Sequence, residues 1–291
     1  MKKSVRMILT VVLVIVFAVS GGMVLKKFME YRAGEETYSE VEKLVGIEVD
    51  AQEGAQQTGE NQPETDDQQQ AEDPDSVQQS DDKEKDNKKE EKKQNPLPKV
   101  SVDNLKNLDL SALQKVNKDV MGWIIIPGAG ISYPLMDGDD NSYYLNRTWD
   151  KQWNTTGSIF LEKECSNKLS EFNTIIYGHN MRNTTMFSNL KKYVKKSYWA
   201  DAPYVYIATE KGVYRYDIFA AYEVEVEGHT FWIDIKEESH KQMFIDRSLE
   251  MSEIDTGIVP AVSDKILTLS TCTGNGHEKR MVVQAVLAGE E

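Results

Sequence analysis

The stretch KILTLSTC at positions 265–272 decides the fold and the chemistry that we expect of this chain. It is a short apolar segment that ends on Cys272, and Arg280 follows just ahead of a second apolar segment, MVVQAV at 281–286. Short apolar runs of this kind are typical of buried strands. The order of these segments predicts a thiol at the end of one strand and an arginine that faces it from the start of the next. A cation beside a thiol favours the thiolate, which is the nucleophilic form.

A second predicted strand ends on a histidine roughly 90 residues upstream of the cysteine. Residues 173–178 are NTIIYG, and His179 follows them. His277 competes for an acid/base role because it lies near Cys272, but the glycines at 274–276 predict a mobile loop, which mounts a catalytic group poorly. A cysteine, a histidine and an arginine at strand ends are the groups that acyl transfer through a thioester requires.

These two segments resemble the active-site strands of a sortase. Four further motifs, in the same order, resemble the class B branch of that family: GWIIIP at 122–127, ISYPL at 131–135, DNSYYL at 140–145 and GSIFL at 157–161. The resemblance covers roughly residues 105–287. It implies an eight-stranded β-barrel in which a helix is inserted before the seventh strand.

The resemblance also assigns roles to the three candidate catalytic residues. It selects Cys272 as the nucleophile, with a buried structural cysteine as the alternative. It selects His179 as the general acid that protonates the leaving amine and as the general base that later accepts a proton from the incoming amine. It selects Arg280, rather than the neighbouring Lys279, as the donor to an oxyanion or a substrate carbonyl, since neighbours in a strand face opposite ways. The thiol and imidazole form either a charged or a neutral resting pair.

The resemblance further implies a substrate groove. The positions that match its peptide contacts are Asn141, Leu145, Tyr177 and Ser270, and the loop 226–231, which contains Phe231, is expected to form one wall. Each has a structural alternative, such as a core position, a turn or a strand filler. The acidic residues at 137–140 lack the spacing of a calcium loop and are interpreted as turn formers. We expect neither a metal nor a cofactor.

Composition divides the chain unevenly. The formal net charge is −14, and residues 51–98 alone carry 14 acidic and 6 basic side chains. That segment has almost no large apolar side chains and should be disordered. It is either a spacer that lifts a domain off a membrane or a linker without a role. The remainder is only mildly acidic, which gives no reason to expect nucleic-acid binding.

The N-terminus carries an export signal. The run from Met7 to Leu25 contains no charged residue and is followed by two lysines. At about 1.5 Å per residue a helix of this length just spans a hydrocarbon core. The alternative is a signal peptide cleaved before Gly21. We expect a membrane anchor with a cytoplasmic tip at 1–29, a juxtamembrane segment and disordered linker at 30–98, and an extracellular catalytic domain at 99–291.

Short predicted strands dominate the catalytic domain and indicate a barrel or a sandwich. They lie at 123–126, 131–133, 158–161, 174–177, 204–207, 213–226, 265–270 and 281–287. Helices are predicted at about 186–194 and 240–250, and Ser111 with Gln114 predicts a capping box at the start of another. The two cysteines, Cys165 and Cys272, are too few for a disulfide framework, although one bridge between them is conceivable.

The resemblance therefore implies a membrane-anchored class B sortase of a Gram-positive cell. Such an enzyme cleaves a motif of the Asn-Pro-x-Thr type after the threonine, near the C-terminus of an exported protein. It passes the acyl chain to an amine of a peptidoglycan precursor, which anchors the protein to the cell wall. A pilin-polymerising enzyme that uses a protein lysine, a non-catalytic module that binds sorting signals, and a plain cysteine protease are the alternatives.

Overall fold

A closed β-barrel carries the candidate site. The computed structural model describes residues 3–45, 105–273 and 278–290, and the predicted linker at 51–98 lies outside them. Within these ranges the barrel has the strand order β1-β2-β3-β4-β7-β8-β6-β5. The strands are β1 (Val120–Ile126), β2 (Ile131–Met136), β3 (Ile159–Leu161), β4 (Asn173–Tyr177), β5 (Tyr204–Thr209), β6 (Gly212–Glu225), β7 (Ile266–Cys272) and β8 (Lys279–Glu290).

In the described part of the chain, the α-helices lie ahead of the barrel and between its strands. They are α1 (Lys3–Leu44), α2 (Leu110–Val116), α3 (Lys196–Asp201) and α4 (Glu238–Met251). The eight-stranded barrel and the helix inserted before the seventh strand are therefore confirmed. Helix α1 is long and apolar enough to span a membrane.

Both faces of the strands near the site are buried, which explains their apolar runs. On β7, Leu267 and Leu269 point into the main core, whereas Ile266 points outward into a second cluster. That cluster includes Phe244 and Ile245 of α4. The alternation of side chains along a strand separates the two sets. The outward face of β7 therefore continues from this cluster towards Cys272.

Strand pairing brings the two predicted active-site strands together. Strands β4 and β7 are parallel neighbours, and Tyr177 lies opposite Ser270. Parallel strands end at the same edge of a sheet, so the residues that follow β4 lie beside the end of β7. Strands β7 and β8 are antiparallel, and Cys272 lies opposite Arg280.

One local prediction was confirmed only in part, and another was wrong. The segment predicted as a helix at 186–194 is a 3-10 helix over Ser188–Val194, followed by α3. Met186 has φ 56°, which an α-helix does not tolerate, so the helix cannot begin there. Helix α2 is capped by Asp109, whose carboxylate accepts from the Ser111 amide, while the Gln114 amide donates to the Val120 carbonyl. Ser111 and Gln114 therefore do not form a capping box.

The second half of α1 packs against the barrel. Tyr38, Val41 and Val45 are almost fully buried and belong to the main core. Gly34 lies so close to the barrel that an added Cβ would stand 2.5 Å from the Thr156 hydroxyl. Apolar side chains in the first half of the helix are exposed, from Leu9 to Phe28. The apolar segment and the docked segment are therefore parts of one continuous helix.

Candidate active site

Cys272 and Arg280 form a directly opposed pair across β7 and β8. Opposed residues of an antiparallel pair project from the same face of the sheet. Ser270 shares that face because it precedes the cysteine by two positions. Lys279 points the other way, into a different pocket that Glu223 and His229 also line. The arginine, and not its lysine neighbour, is therefore placed beside the thiol.

The imidazole of His179 is held by a backbone carbonyl. The residue follows β4, and its Nε2 atom lies 2.6 Å from the Leu145 carbonyl oxygen. Because a carbonyl oxygen only accepts hydrogen bonds, Nε2 carries the proton in this contact. Nδ1 is then the ring nitrogen that remains for proton exchange. Leu145, which we expect to contact substrate, therefore also orients the acid/base.

Asn180 links the histidine segment to the cysteine strand, and the sequence analysis missed it. Its side-chain amide donates to the Cys272 carbonyl over 2.8 Å. The Gly178 amide donates to the Ser270 carbonyl over 3.2 Å. The only signal for Asn180 was its place directly after His179, which does not reveal a bond to a residue far along the chain. The two hydrogen bonds fix the spacing between β4 and β7 at the site.

One cavity of about 320 Å³ collects every candidate site residue. The residues predicted from the sequence that line it are Asn141, Leu145, Tyr177, His179, Phe231, Ser270, Cys272 and Arg280. Phe160, Gly178, Val226 and Thr271 complete the lining. The structure thus brings all eight predicted positions together, as a substrate groove requires.

A buried carboxylate supports one wall of this cavity. Glu162 is 7% exposed, and it accepts hydrogen bonds from the Tyr177 hydroxyl (2.9 Å) and from the Asn141 side-chain amide (2.6 Å). Burial and the nearby Glu162 charge raise the pKa of Tyr177 well above its ordinary value. The side-chain oxygen Oδ1 of Asn141 accepts a hydrogen bond from the Lys163 backbone amide. The Asn141 side chain is thus bonded at both ends within the protein, and its contact with substrate stays a prediction.

Two buried hydroxyls at the end of β7 have no hydrogen-bond partner, and only that of Ser270 projects from the face that carries Cys272. Among the described residues, the Ser270 and Thr271 hydroxyl oxygens are buried and accept or donate no hydrogen bond. The opposite wall is fixed by Asn173, whose side-chain amide donates to the Thr230 and Trp232 carbonyls on either side of Phe231. The loop wall that was predicted at 226–231 is therefore anchored to the sheet.

The remaining candidate roles for cysteine and acidic residues are structural. Both cysteines are free, so no bridge joins Cys165 to Cys272. Cys165 is buried, and this burial raises the pKa of its thiol to about 12. The Asp140 carboxylate accepts from the Ser142 and Tyr143 amides and thereby forms a turn.

Gly157 makes room for the histidine. Its φ is 62°, and an added Cβ would stand 2.7 Å from the Leu145 carbonyl and 2.9 Å from the His179 ring. We expect Gly157→Ala to displace the imidazole and to lower kcat/KM about 100-fold, because a shift of about 1 Å at a catalytic group costs that much. Steady-state cleavage of a fluorogenic peptide measures the effect.

Gly257 provides the matched control for that substitution. It also has a positive φ, 76°, but nothing lies within 4 Å of an added Cβ. Gly257→Ala should therefore cost only backbone strain, about 1 kcal/mol, and leave kcat/KM unchanged. Equal activities of the two variants would contradict the proposed packing of Gly157 against His179.

Removal of the Glu162 carboxylate should weaken the groove wall. Glu162→Ala leaves the Tyr177 hydroxyl and the Asn141 amide without their acceptor, so we expect about a tenfold loss of kcat/KM that resides mainly in KM. Glu162→Gln retains one acceptor oxygen and should recover part of the loss. A loss that lies entirely in kcat would argue against a role in substrate positioning.

Comparisons with known proteins agree with this geometry. The family model described as "Sortase domain" matches residues 124–288. Sortase B of Staphylococcus aureus strain NCTC 8325 is 34% identical over 176 residues, which cover 60% of this chain and 72% of that protein. Sortase B of Listeria monocytogenes is 34% identical over 181 residues, which cover 62% of this chain and 74% of that protein.

Solved structures show the same likeness. The structure described as "Staphylococcus aureus sortase B-substrate complex" has a TM-score of 0.58 and 32% sequence identity. The match covers 61% of this chain and 83% of that chain. The region that the family model matches, residues 124–288, contains most of the barrel and every candidate residue of the cavity.

Proposed function

Because the chain belongs to the sortase family and, within it, to the class B sortases, we propose that it anchors exported proteins to the cell wall by transpeptidation. Members of this family are cysteine transpeptidases, and the chain is therefore an enzyme of this type. The observation that carries the assignment of its residues is the shared cavity of Cys272, His179 and Arg280. Their strand register supports the same assignment.

In the first half-reaction, the thiolate of Cys272 attacks the carbonyl carbon of the scissile peptide bond. The C–S bond forms, and the carbonyl electrons move to oxygen, where the Arg280 guanidinium donates hydrogen bonds to the developing charge. His179 gives a proton to the leaving amine as the C–N bond breaks. The product is a thioester between Cys272 and the acyl fragment.

In the second half-reaction, an acceptor amine attacks the thioester carbonyl. His179 takes a proton from the incoming nitrogen, and the thiolate of Cys272 leaves as the new amide forms. Water can replace the amine, so hydrolysis is the expected side reaction. The Leu145 carbonyl holds Nε2 of the imidazole in place during both proton transfers.

We propose a sorting motif of the Asn-Pro-x-Thr-Asn type, cleaved after threonine, and an amine of a lipid-linked peptidoglycan precursor as the acceptor. The motif follows from the class B membership, and a relative at 32% identity has been solved as a substrate complex. Polar groups in the cleft, including the unpartnered Ser270 hydroxyl, are suited to a peptide rather than to a purely apolar ligand. We place the catalytic domain outside the cell, with α1 as a single-pass anchor.

Peptide cleavage tests the proposal. The full-length chain in detergent would be incubated with peptides that contain Asn-Pro-x-Thr-Asn or Leu-Pro-x-Thr-Gly, with and without an oligoglycine or a diaminopimelate-type amine. Mass spectrometry should show cleavage after threonine of the first peptide and an adduct with the amine. Folded enzyme that cleaves neither peptide would overturn the proposed general sorting activity.

The products also separate the remaining alternatives. A pilin-polymerising enzyme would join the acyl fragment to a lysine of a protein acceptor and ignore the small amines. A plain protease would yield only the hydrolysed peptide at every amine concentration. A binding module would retain the peptide without cleaving it.

A further inference from the structure

The docked half of α1 fixes the barrel relative to the apolar half of the same helix. The Asn154 side-chain amide donates to the Glu30 carbonyl over 3.1 Å, and the Asn183 side-chain amide donates to the Glu35 carboxylate over 2.7 Å. One helical turn further on, the Tyr38 hydroxyl donates to the Gly157 carbonyl over 2.5 Å. These contacts begin only five residues after Leu25, the last residue of the uncharged run.

The rise per residue of an α-helix gives the distance of each contact from Leu25 along the helix axis. At about 1.5 Å per residue, Glu30 lies roughly 7.5 Å and Tyr38 roughly 20 Å beyond Leu25 along the helix axis. The headgroup layer on each side of a bilayer is roughly 5–8 Å thick. The barrel loop that bonds to Glu30 is therefore level with the headgroups when the apolar run spans the hydrocarbon core.

This loop presents an exposed tryptophan. Trp153, which directly precedes Asn154, is 67% exposed. The Arg147 guanidinium lies 5.7 Å from the Trp153 ring centroid and 4.3 Å from that of Tyr143. Tryptophan is enriched at membrane–water interfaces, where its ring lies at headgroup level. An arginine beside the ring can donate hydrogen bonds to the lipid phosphates of the same layer.

We propose that the loop 150–154 rests on the lipid surface through Trp153 and that α1 acts as a rigid support. The cavity then stands roughly 20 Å above the hydrocarbon boundary, because Gly157, which Tyr38 contacts, packs against His179. The inference requires insertion of α1, which forms part of the proposed function. It does not depend on the catalytic reaction, so its test requires no activity.

The test uses depth-dependent quenching in vesicles. The chain with Cys272→Ala would carry one apolar fluorescent thiol label at Trp153→Cys, where the fluorophore takes the place of the indole ring, and the remaining Cys165 is buried. It would be reconstituted into phosphatidylcholine–phosphatidylglycerol vesicles that contain a lipid with a nitroxide on its headgroup. Val259→Cys, at a 71% exposed position in the loop before β7, is the matched control, and Phe28→Cys in α1 reports insertion.

The label at position 153 should be quenched at least threefold more strongly than the label at position 259. Quenching at position 28 without excess quenching at position 153 would overturn the proposal, because the helix would be inserted while the loop stayed clear of the lipid. Absence of quenching at both positions 28 and 153 would overturn it as well. Peptide cleavage in detergent would still report the enzyme activity independently.

A second pair of variants tests the rigid support. Gly34→Leu places a side chain where the Thr156 hydroxyl lies 2.5 Å from the first added carbon, so it should undock α1 and abolish the excess quenching at position 153. Gly22→Leu lies in the same helix with nothing within 4 Å and should retain it. Equal quenching in both variants would contradict the role of helix docking.

Discussion

Cys272→Ala is expected to abolish peptide cleavage and amine transfer, with a fall in kcat of at least about 1,000-fold. The variant has no sulfur with which to form the thioester, so the remaining groups can only orient water. The side chain is small and partly exposed at the end of β7, so the barrel should stay folded. Steady-state rates with a fluorogenic sorting peptide, together with circular dichroism, measure both effects.

Cys165→Ala is the matched control for the nucleophile. This cysteine is 7% exposed, its thiol lies 3.9 Å from the Asn173 carbonyl, and burial raises its pKa to about 12. The substitution should lower stability by about 1 kcal/mol and leave the cleavage rate nearly unchanged. A thiol-reactive probe should label Cys272 alone in the folded protein. Loss of activity on mutation of Cys165 rather than of Cys272 would refute the assignment.

Arg280→Gln has the second-largest expected effect. The arginine lies opposite Cys272 and lines the same cavity, so its loss removes the charged donor to the oxyanion. Removal of one such donor costs about 100- to 1,000-fold in kcat. Arg280→Lys keeps the charge but loses the planar fork of donors, and we expect an intermediate rate.

Lys279→Gln provides the control for the loss of positive charge. Lys279 has the same charge, lies one residue away, and faces a different pocket because of the strand alternation. Its kcat should stay within about twofold of the unmodified enzyme. If Lys279→Gln and Arg280→Gln lowered kcat equally, a general electrostatic effect would explain the data better than an oxyanion contact.

Most of the barrel was predictable because its strands are short apolar runs with clear ends. The order of the two apolar segments placed an arginine after the cysteine strand, and the resemblance to sortases selected Arg280 over Lys279 and selected His179. Local backbone conformation was harder to predict. The positive φ of Met186, which delays the helix, has no signal in the residue type, since methionine adopts helix readily.

Contacts between distant segments could not be predicted from the sequence. The bonds from Glu162 to Tyr177 and Asn141, and from Asn180 to the Cys272 carbonyl, depend on three-dimensional neighbours. The packing of α1 against the barrel could not be predicted for the same reason. Its buried positions lie in the part of the chain that we expected to be a juxtamembrane segment, and the long segment 46–104 separates them from the barrel in sequence.

The parallel pairing of β4 with β7 has a consequence for the order of events during synthesis, export and folding. His179 and Cys272 are roughly 90 residues apart, and contacts of such sequence separation form slowly because a large loop must close first. Because the chain emerges N-terminus first, His179 is delivered roughly 90 residues before Cys272 and has no thiol beside it until β7 has emerged and paired with β4. The thiol therefore becomes an effective nucleophile only once β4, β7 and β8 have all been delivered and paired.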